Sequence, residues 1–278
     1  MTDKKIPLAG VIGSPIAHSK SPLLHRHWLR TYGIRGHYVP MDIASEDLEE
    51  VFRTLPKLGF VGVNVTIPHK ERMLDLADLI TDRAALMGAA NTIIFRRDGK
   101  IHADNTDGYG FIENLKQGAP NWMPKSGPAA VIGAGGAARA VLASLLEAGV
   151  PEVRLTNRTW ARAETLKTEF GSKVMGYDWV AAGNAIEGAK TVVNASSLGM
   201  AGKPSFRVPL DGLGADATVT DLVYTPLETP LLKAAKEVGC HTVDGLGMLL
   251  HQAVPAFERW FGQRPVVDDA LRQVMLGP

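Results

Sequence analysis

Cysteine is all but missing from this chain, with one residue, Cys240, in 278. A single thiol excludes an intramolecular disulfide and fits a reducing compartment. It reads as a small buried apolar residue in preference to a nucleophile. Net charge is nearly absent as well, at +1. With no basic run and no interleaving of basic and aromatic residues, nucleic acid is not an expected partner. No apolar run is long enough to span a bilayer, and MTDKKIPLAG lacks the long apolar core of a signal peptide. A cytoplasmic protein without a membrane partner is therefore expected. No H-E-x-x-H or Cys/His ligand spacing occurs, so no metal is expected. His25 and His27, two apart on an expected helix, do not face each other and read as helix-surface residues. Repeats and low-complexity segments are absent. So are the long tail, charge block or exposed apolar stripe that a scaffold protein would need. No heptad or edge-strand signal separates a monomer from a homodimer.

What is present is a chain that is 45% hydrophobic, enough for a sizeable core in one large or two modest domains. Strand-like and helix-like runs alternate throughout, which predicts an α/β fold. Leu8–Ile12, Gly36–Asp42 and Phe60–Val65 read as strands. Ser21–Tyr32 reads as a helix, with Ser21 as cap and Pro22 at its first position, and Ser45–Leu55 as another, opened by Ser45. Arg97-Asp98-Gly99 reads as a hairpin turn between Asn91–Arg96 and Lys100–Ala103. Gln117–Pro128, rich in proline and glycine, is the clearest break. Beyond it come expected strands at Lys173–Met175, Thr191–Asn194, Thr218–Asp221 and His241–Val243. Leu246–Phe261 and Val267–Met275 close the chain as helices, too short to stand alone and expected to fold back on the first domain. The expected division is residues 1–105 with 243–278 as one domain and 106–242 as the other.

The most informative stretch is Ala129–Thr159. An apolar run, Ala129–Ile132, meets the glycine cluster Gly133-Ala134-Gly135-Gly136-Ala137-Ala138, and a helix pattern follows to about Leu146. Gly133 can take backbone angles closed to other residues, and Gly135 lets a diphosphate approach the backbone. Free N–H groups at the helix start then face the anion. A second apolar run, Val153–Thr156, ends at Asn157-Arg158-Thr159, with Arg162 one helical turn on. An NAD site usually carries Asp or Glu about 20 residues after the glycines. Here guanidinium groups stand instead, suited to a 2′-phosphate, so the cofactor read from the pattern is NADP. The alternative is an amphipathic helix whose start merely exposes Arg158 and Arg162.

A second set of polar residues lies outside that unit. It comprises the loop Ser14–Pro22 with His18, Ser19, Lys20 and Ser21; Asn64-Val65-Thr66-Ile67-Pro68-His69-Lys70; Asn91-Thr92; and Asp104-Asn105-Thr106-Asp107-Gly108. Each stands at an element end, where loops carry function on a rigid scaffold. Taken singly, each also reads as a helix cap, a turn residue or a solvated lysine.

Taken together, over nearly the whole chain, these segments resemble the shikimate dehydrogenase family. The resemblance is carried by the SKS loop, NVTIPHK, Ala89–Thr92, Asp104–Gly108, IGAGGAAR, NRT, the NAS and GM steps within Asn194–Met200, and Asp244–Leu249. It implies an N-terminal substrate-binding catalytic domain closed by the C-terminal helices, with a doubly wound Rossmann-type NADP domain between. The implied activity is the reversible reduction of 3-dehydroshikimate to shikimate with NADPH, a step of chorismate and aromatic amino acid biosynthesis. By the same resemblance Lys70 and Asp107 are the catalytic pair, and Ser19, Ser21 and Tyr224 bind the substrate carboxylate. Thr66, Asn91 and Gln252 are implied as ligands of the ring hydroxyls. Gly133, Gly135, Gly136, Ala137, Asn157, Arg158, Thr159 and Arg162 form the implied NADP site, with Met200, Gly245 and Met248 near the nicotinamide. The loop after Gly199 (AGKPSFRVPL) matches no motif. Two rivals remain open to the sequence: a quinate/shikimate dehydrogenase with broader cofactor use, and a non-catalytic NADP-binding sensor on the same fold.

Overall fold

The computed structural model describes residues 6–277. The chain divides into two units. One takes the chain up to Thr106 and again from Gln252 onward; the other is Asp107–His251. Among the described residues no helix is long and apolar enough to cross a membrane.

The first unit runs β1 (Leu8–Gly13), α1 (Ser21–Thr31), β2 (His37–Asp42), α2 (Leu48–Thr54), β3 (Phe60–Val65), α3 (Met73–Leu76), β4 (Leu79–Ile80), α4 (Asp82–Met87), β5 (Thr92–Phe95) and β6 (Ile101–Asp104). Its sheet has the order β2-β1-β3-β5-β6-β4. β5 runs antiparallel to both neighbours, and every other pairing is parallel. The ends of β1, β3 and β6 and the start of β5 therefore share one edge. β1 and β3 bury successive residues, Val11 with Ile12 and Val63 through Val65, as strands covered on both faces do. Ile12, Phe52, Val63, Met73 and Ile93 belong to one core cluster.

The second unit runs α5 (Asp107–Gly118), β7 (Ala129–Ile132), α6 (Gly136–Ala148), β8 (Val153–Thr156), α7 (Trp160–Phe170), β9 (Val174–Tyr177), α8 (Ala182–Ile186), β10 (Thr191–Asn194), β11 (Thr218–Asp221), α9 (Pro230–Val238), β12 (His241–Val243) and α10 (Leu246–His251). Its strands are all parallel, in the order β12-β11-β10-β7-β8-β9. This is a doubly wound Rossmann-type sheet, and its strand order reverses between β7 and β10. The chain then returns to the first unit as α11 (Val254–Phe261) and α12 (Asp269–Leu276).

Several expectations need correction. Leu246–Phe261 is two helices, because Pro255 has no N–H to give the His251 carbonyl and the helix stops at His251. Residues 243–251, expected with the first domain, accordingly lie in the second unit. There Asn114 Nδ2 donates to the Asp244 carbonyl at 2.7 Å. A Cβ on Gly247 would fall 1.8 Å from Asn114 Oδ1, so only glycine lets α10 lie this close to α5. Finally, Ser45 does not open α2. A turn closed by the Asp47 N–H on the Ala44 carbonyl takes that stretch, and a 3-10 turn, Leu55–Leu58 with Pro56 second, follows Thr54.

His25 is not a helix-surface residue. It is fully buried, stacked on Tyr38 at 3.9 Å and 3°, with Trp28, Phe257 and Trp260 around it. Trp260 fixes α11 to the sheet by donating Nε1–H to the Ile93 carbonyl at 3.1 Å. Gly62 makes room for it, since a Cβ there would sit 2.0 Å from that nitrogen.

Candidate functional site

In the first unit the polar segments gather on the shared sheet edge. The loop after β1 is tied to the loop after β3 by the Ser14 N–H on the Ile67 carbonyl at 3.1 Å. Thr66 stands against the end of β1, where a Cβ on Gly13 would meet its methyl at 2.5 Å. The Lys70 carbonyl accepts from Ala90 N–H at 2.9 Å, which seats Lys70 beside the start of β5. Ser21 begins α1 without capping it: Lys20 is the cap residue, and its side chain makes no cap bond. The Ser21 N–H instead donates to Ser19 Oγ at 3.3 Å.

A buried network underlies this edge. Tyr38 Oη donates to Asn64 Oδ1 at 2.8 Å, and Asn64 Nδ2 donates to the Asn91 carbonyl and to Thr92 Oγ1. Asn91 Oδ1 accepts from Thr106 N–H at 2.9 Å and from Thr92 Oγ1 at 3.0 Å. Its Nδ2 is thereby turned to donate to Gln252 Oε1 at 3.0 Å. The two amides are locked in one polarity, and the expected residues Asn91 and Gln252 come together although 161 positions separate them. Burial raises the Tyr38 phenol well above its ordinary value, with the Ser21 hydroxyl offsetting part of that rise. Asn64, inside the expected strand Phe60–Val65, is no ordinary turn residue: it stands on β3 at the centre of the network.

Asp104 ends β6 and is buried. Burial pushes its carboxyl up, but the Arg83 guanidinium, with Nε at 2.6 Å, and the Thr81 hydroxyl at 2.8 Å more than reverse this. The group sits below the usual carboxylate range. It holds the Asn105 N–H at 2.8 Å and so shapes the segment leading to Asp107. Lys70 belongs to the first unit, while Asp107 and Tyr224 belong to the second.

The second unit carries a cavity of about 590 Å³ at the point where its strand order reverses. Gly133 has φ +118°, and a Cβ on it would lie 2.8 Å from the Ala195 carbonyl oxygen, so glycine is required there. Every residue expected around the dinucleotide phosphates and adenosine lines this cavity: Gly133, Gly135, Gly136, Ala137, Asn157, Arg158, Thr159 and Arg162. Asn157 Oδ1 accepts from the Ala134 N–H at 3.2 Å, which binds the two turns together. Among the described residues no carboxylate lines the cavity. The residue set fits a phosphorylated dinucleotide: backbone N–H groups at a helix start, cations, and space.

Met200, Gly245 and Met248 are not part of the cavity lining. Met200 is exposed, Gly245 is buried with a Cβ position 2.4 Å from the Leu222 carbonyl oxygen, and Met248 packs on the unit's core. Sequence reasoning missed Trp179, Ser196 to Leu198, Lys203 and Pro204, which do line it. The loop Ala195–Leu198 is shaped by Asn194, whose Oδ1 accepts from Ser196 N–H and Oγ and whose Nδ2 donates to the Leu198 carbonyl and to Asp221 Oδ1. Asp221 also accepts from Val223 N–H at 2.9 Å and Thr229 Oγ1 at 2.7 Å. Burial raises its carboxyl, and these bonds offset only part of the rise.

Comparison with known proteins gives three family matches along the chain. Residues 11–93 match the shikimate dehydrogenase substrate binding domain, 121–198 match shikimate / quinate 5-dehydrogenase, and 245–275 match the shikimate 5′-dehydrogenase C-terminal domain. A protein of Paracoccus denitrificans (strain Pd 1222) named shikimate dehydrogenase (NADP(+)) is 68% identical over 275 residues, covering 99% of this chain and 98% of its own. Among solved structures, shikimate 5-dehydrogenase from Thermus thermophilus in complex with NADP(H) and shikimate aligns with a TM-score of 0.84. It is 36% identical, with 98% of each chain covered. Quinate dehydrogenase from Corynebacterium glutamicum in complex with NAD aligns with a TM-score of 0.90 at 33% identity, covering 98% of this chain and 99% of that one.

Proposed function

The chain belongs to the shikimate dehydrogenase family, and from that premise we infer that it reversibly reduces 3-dehydroshikimate to shikimate with NADPH. The observation that carries the cofactor half is the cavity at the strand-order reversal, which brings a glycine turn and Arg158 and Arg162 together without a carboxylate. A carboxylate would repel a 2′-phosphate; a guanidinium bonds it.

When bound, the nicotinamide supplies the hydride. The chain supplies the proton and the placement. Lys70 gives a proton to the carbonyl oxygen as the ketone becomes an alcohol, and takes it back in the reverse direction. As an ammonium it also stabilises negative charge developing on that oxygen. Asp107 bonds the reacting hydroxyl. Ser19, Ser21 and Tyr224 hold the substrate carboxylate with neutral hydroxyls. Thr66, Asn91 and Gln252 take the ring hydroxyls. The locked polarity of Asn91 and Gln252 supports this reading, because it leaves the Gln252 amide nitrogen as donor toward a ring oxygen. Met200, Gly245 and Met248 flank the nicotinamide, and the residues around Lys70 form the catalytic, substrate-binding part of the molecule.

The direct test is a nicotinamide absorbance assay crossing shikimate and quinate with NADP and NAD. Turnover confined to shikimate with NADP is expected. Comparable turnover with quinate or NAD would move the protein to the broader-specificity branch. Lys70→Ala should lose roughly 10²–10⁴-fold in kcat while KM for shikimate changes far less. A variant with near-normal kcat would remove Lys70 from the chemistry. Ser21→Ala should raise KM for shikimate more than it lowers kcat.

A further inference from the structure

The glycine and arginine motifs account for two of the three cations that line the dinucleotide cavity. The third, Lys203, comes from the loop after Gly199 that matches no motif. That loop is closed on itself and on its neighbour. The Gly199 N–H donates to the Pro204 carbonyl at 2.8 Å, Lys203 N–H to the Met200 carbonyl at 3.0 Å, and Ala201 N–H to the Thr225 carbonyl at 2.9 Å. The backbone carrying Lys203 is therefore held in place. Arg158 and Arg162 approach from the turn after β8 and the start of α7. Lys203 approaches from the loop after β10.

None of the three side chains has an ion-pair or hydrogen-bond partner among the described residues, and no acid lines the space between them. Elsewhere the chain pairs its cations freely: Arg83 with Asp104, Arg154 with Glu152, Arg264 with Glu258. Three unpaired cations around one cavity repel one another until a multiply charged anion enters it. A phosphate monoester carries about −1.5 to −2 at neutral pH, more than a single guanidinium balances. The diphosphate already has the N–H groups at the start of α6.

We propose that Lys203 is a specificity-determining residue that binds the 2′-phosphate of the cofactor together with Arg158 and Arg162. The proposal rests on the cofactor reading above and extends it to a residue outside the family motifs.

The test is calorimetric titration of the full chain with adenosine 2′,5′-bisphosphate and with adenosine 5′-monophosphate. The wild type should prefer the bisphosphate. Lys203→Met, which keeps the stem and removes the charge, should weaken the bisphosphate by about 3–10-fold. It should leave the monophosphate within about twofold. Lys203→Arg should recover most of the loss, and KM for NADPH should follow the same order while KM for NADH does not. Equal losses for both nucleotides would place Lys203 at the 5′-phosphate and overturn the proposal. No loss for either would make it a solvated lysine and overturn it too. Both outcomes leave the cofactor reading standing, whereas a wild type that binds neither nucleotide would remove that reading itself.

Discussion

His25 lies with both imidazole nitrogens buried, neither completing a hydrogen bond. Burial lowers its pKa from 6.5 to about 3, with Asn64 offsetting part of the effect. Between those two values the unfolded chain binds a proton that the folded chain refuses. Stability from this group is thus intact above pH 6.5 and drains away as pH falls, by up to ~1.4 kcal/mol per unit. Moving from pH 7.5 to pH 5 should cost roughly 2 kcal/mol through His25, read by urea unfolding. Asp104, whose carboxyl is depressed, has the same sign but acts only below the ordinary carboxylate range, so it does not contribute to that step. His25→Phe, which keeps the ring stack, should flatten the slope; an unchanged slope would refute the assignment. The burial was legible in principle. Leu24, His25, Trp28 and Leu29 fall on one helical stripe, which the spacing of His25 to His27 does not reveal. Arg158 and Arg162 were easier, because their meaning depends on a glycine turn close by in sequence. Lys203 had no such neighbour to give it meaning.

Among the elements, β7, β8, β10, β11 and β12 begin and end as their apolar runs imply, since strand bounds in a parallel sheet are set by local patterning. What local patterning could not reveal is how Asp221, at the end of β11, anchors two loops at once. Asp221→Ala would strand the Asn194 amide, the Val223 N–H and the Thr229 hydroxyl, all buried around it. We expect a loss of about 2–4 kcal/mol in unfolding free energy. KM for NADPH should also rise, because Asn194 shapes the loop Ala195–Leu198 along the cavity. Asp221→Asn can re-form most of these bonds and should recover both properties. A destabilised Asp221→Ala with an unaltered KM for NADPH would confine Asp221 to a structural role.

At the scale of the whole molecule, the second unit is one continuous stretch and the first is not. A fragment spanning 107–251 keeps its entire sheet and its cavity. It should fold cooperatively and show a thermal shift with adenosine 2′,5′-bisphosphate. A fragment ending at 106 lacks α11, and with it Phe257 and Trp260 of the aromatic cluster around His25. It should remain unfolded or aggregate, as circular dichroism and light scattering would show; a stable fold would mean that α11 is dispensable. During synthesis the discontinuity reverses the usual order of events. Domains ordinarily fold as they leave the ribosome, the earliest first. Here the earliest segment emerges with an apolar face that nothing yet covers, and the middle of the chain can finish folding before it. The nascent segment up to Thr106 must stay soluble until the last helices are translated, so its demand on chaperones is written into the path of the chain.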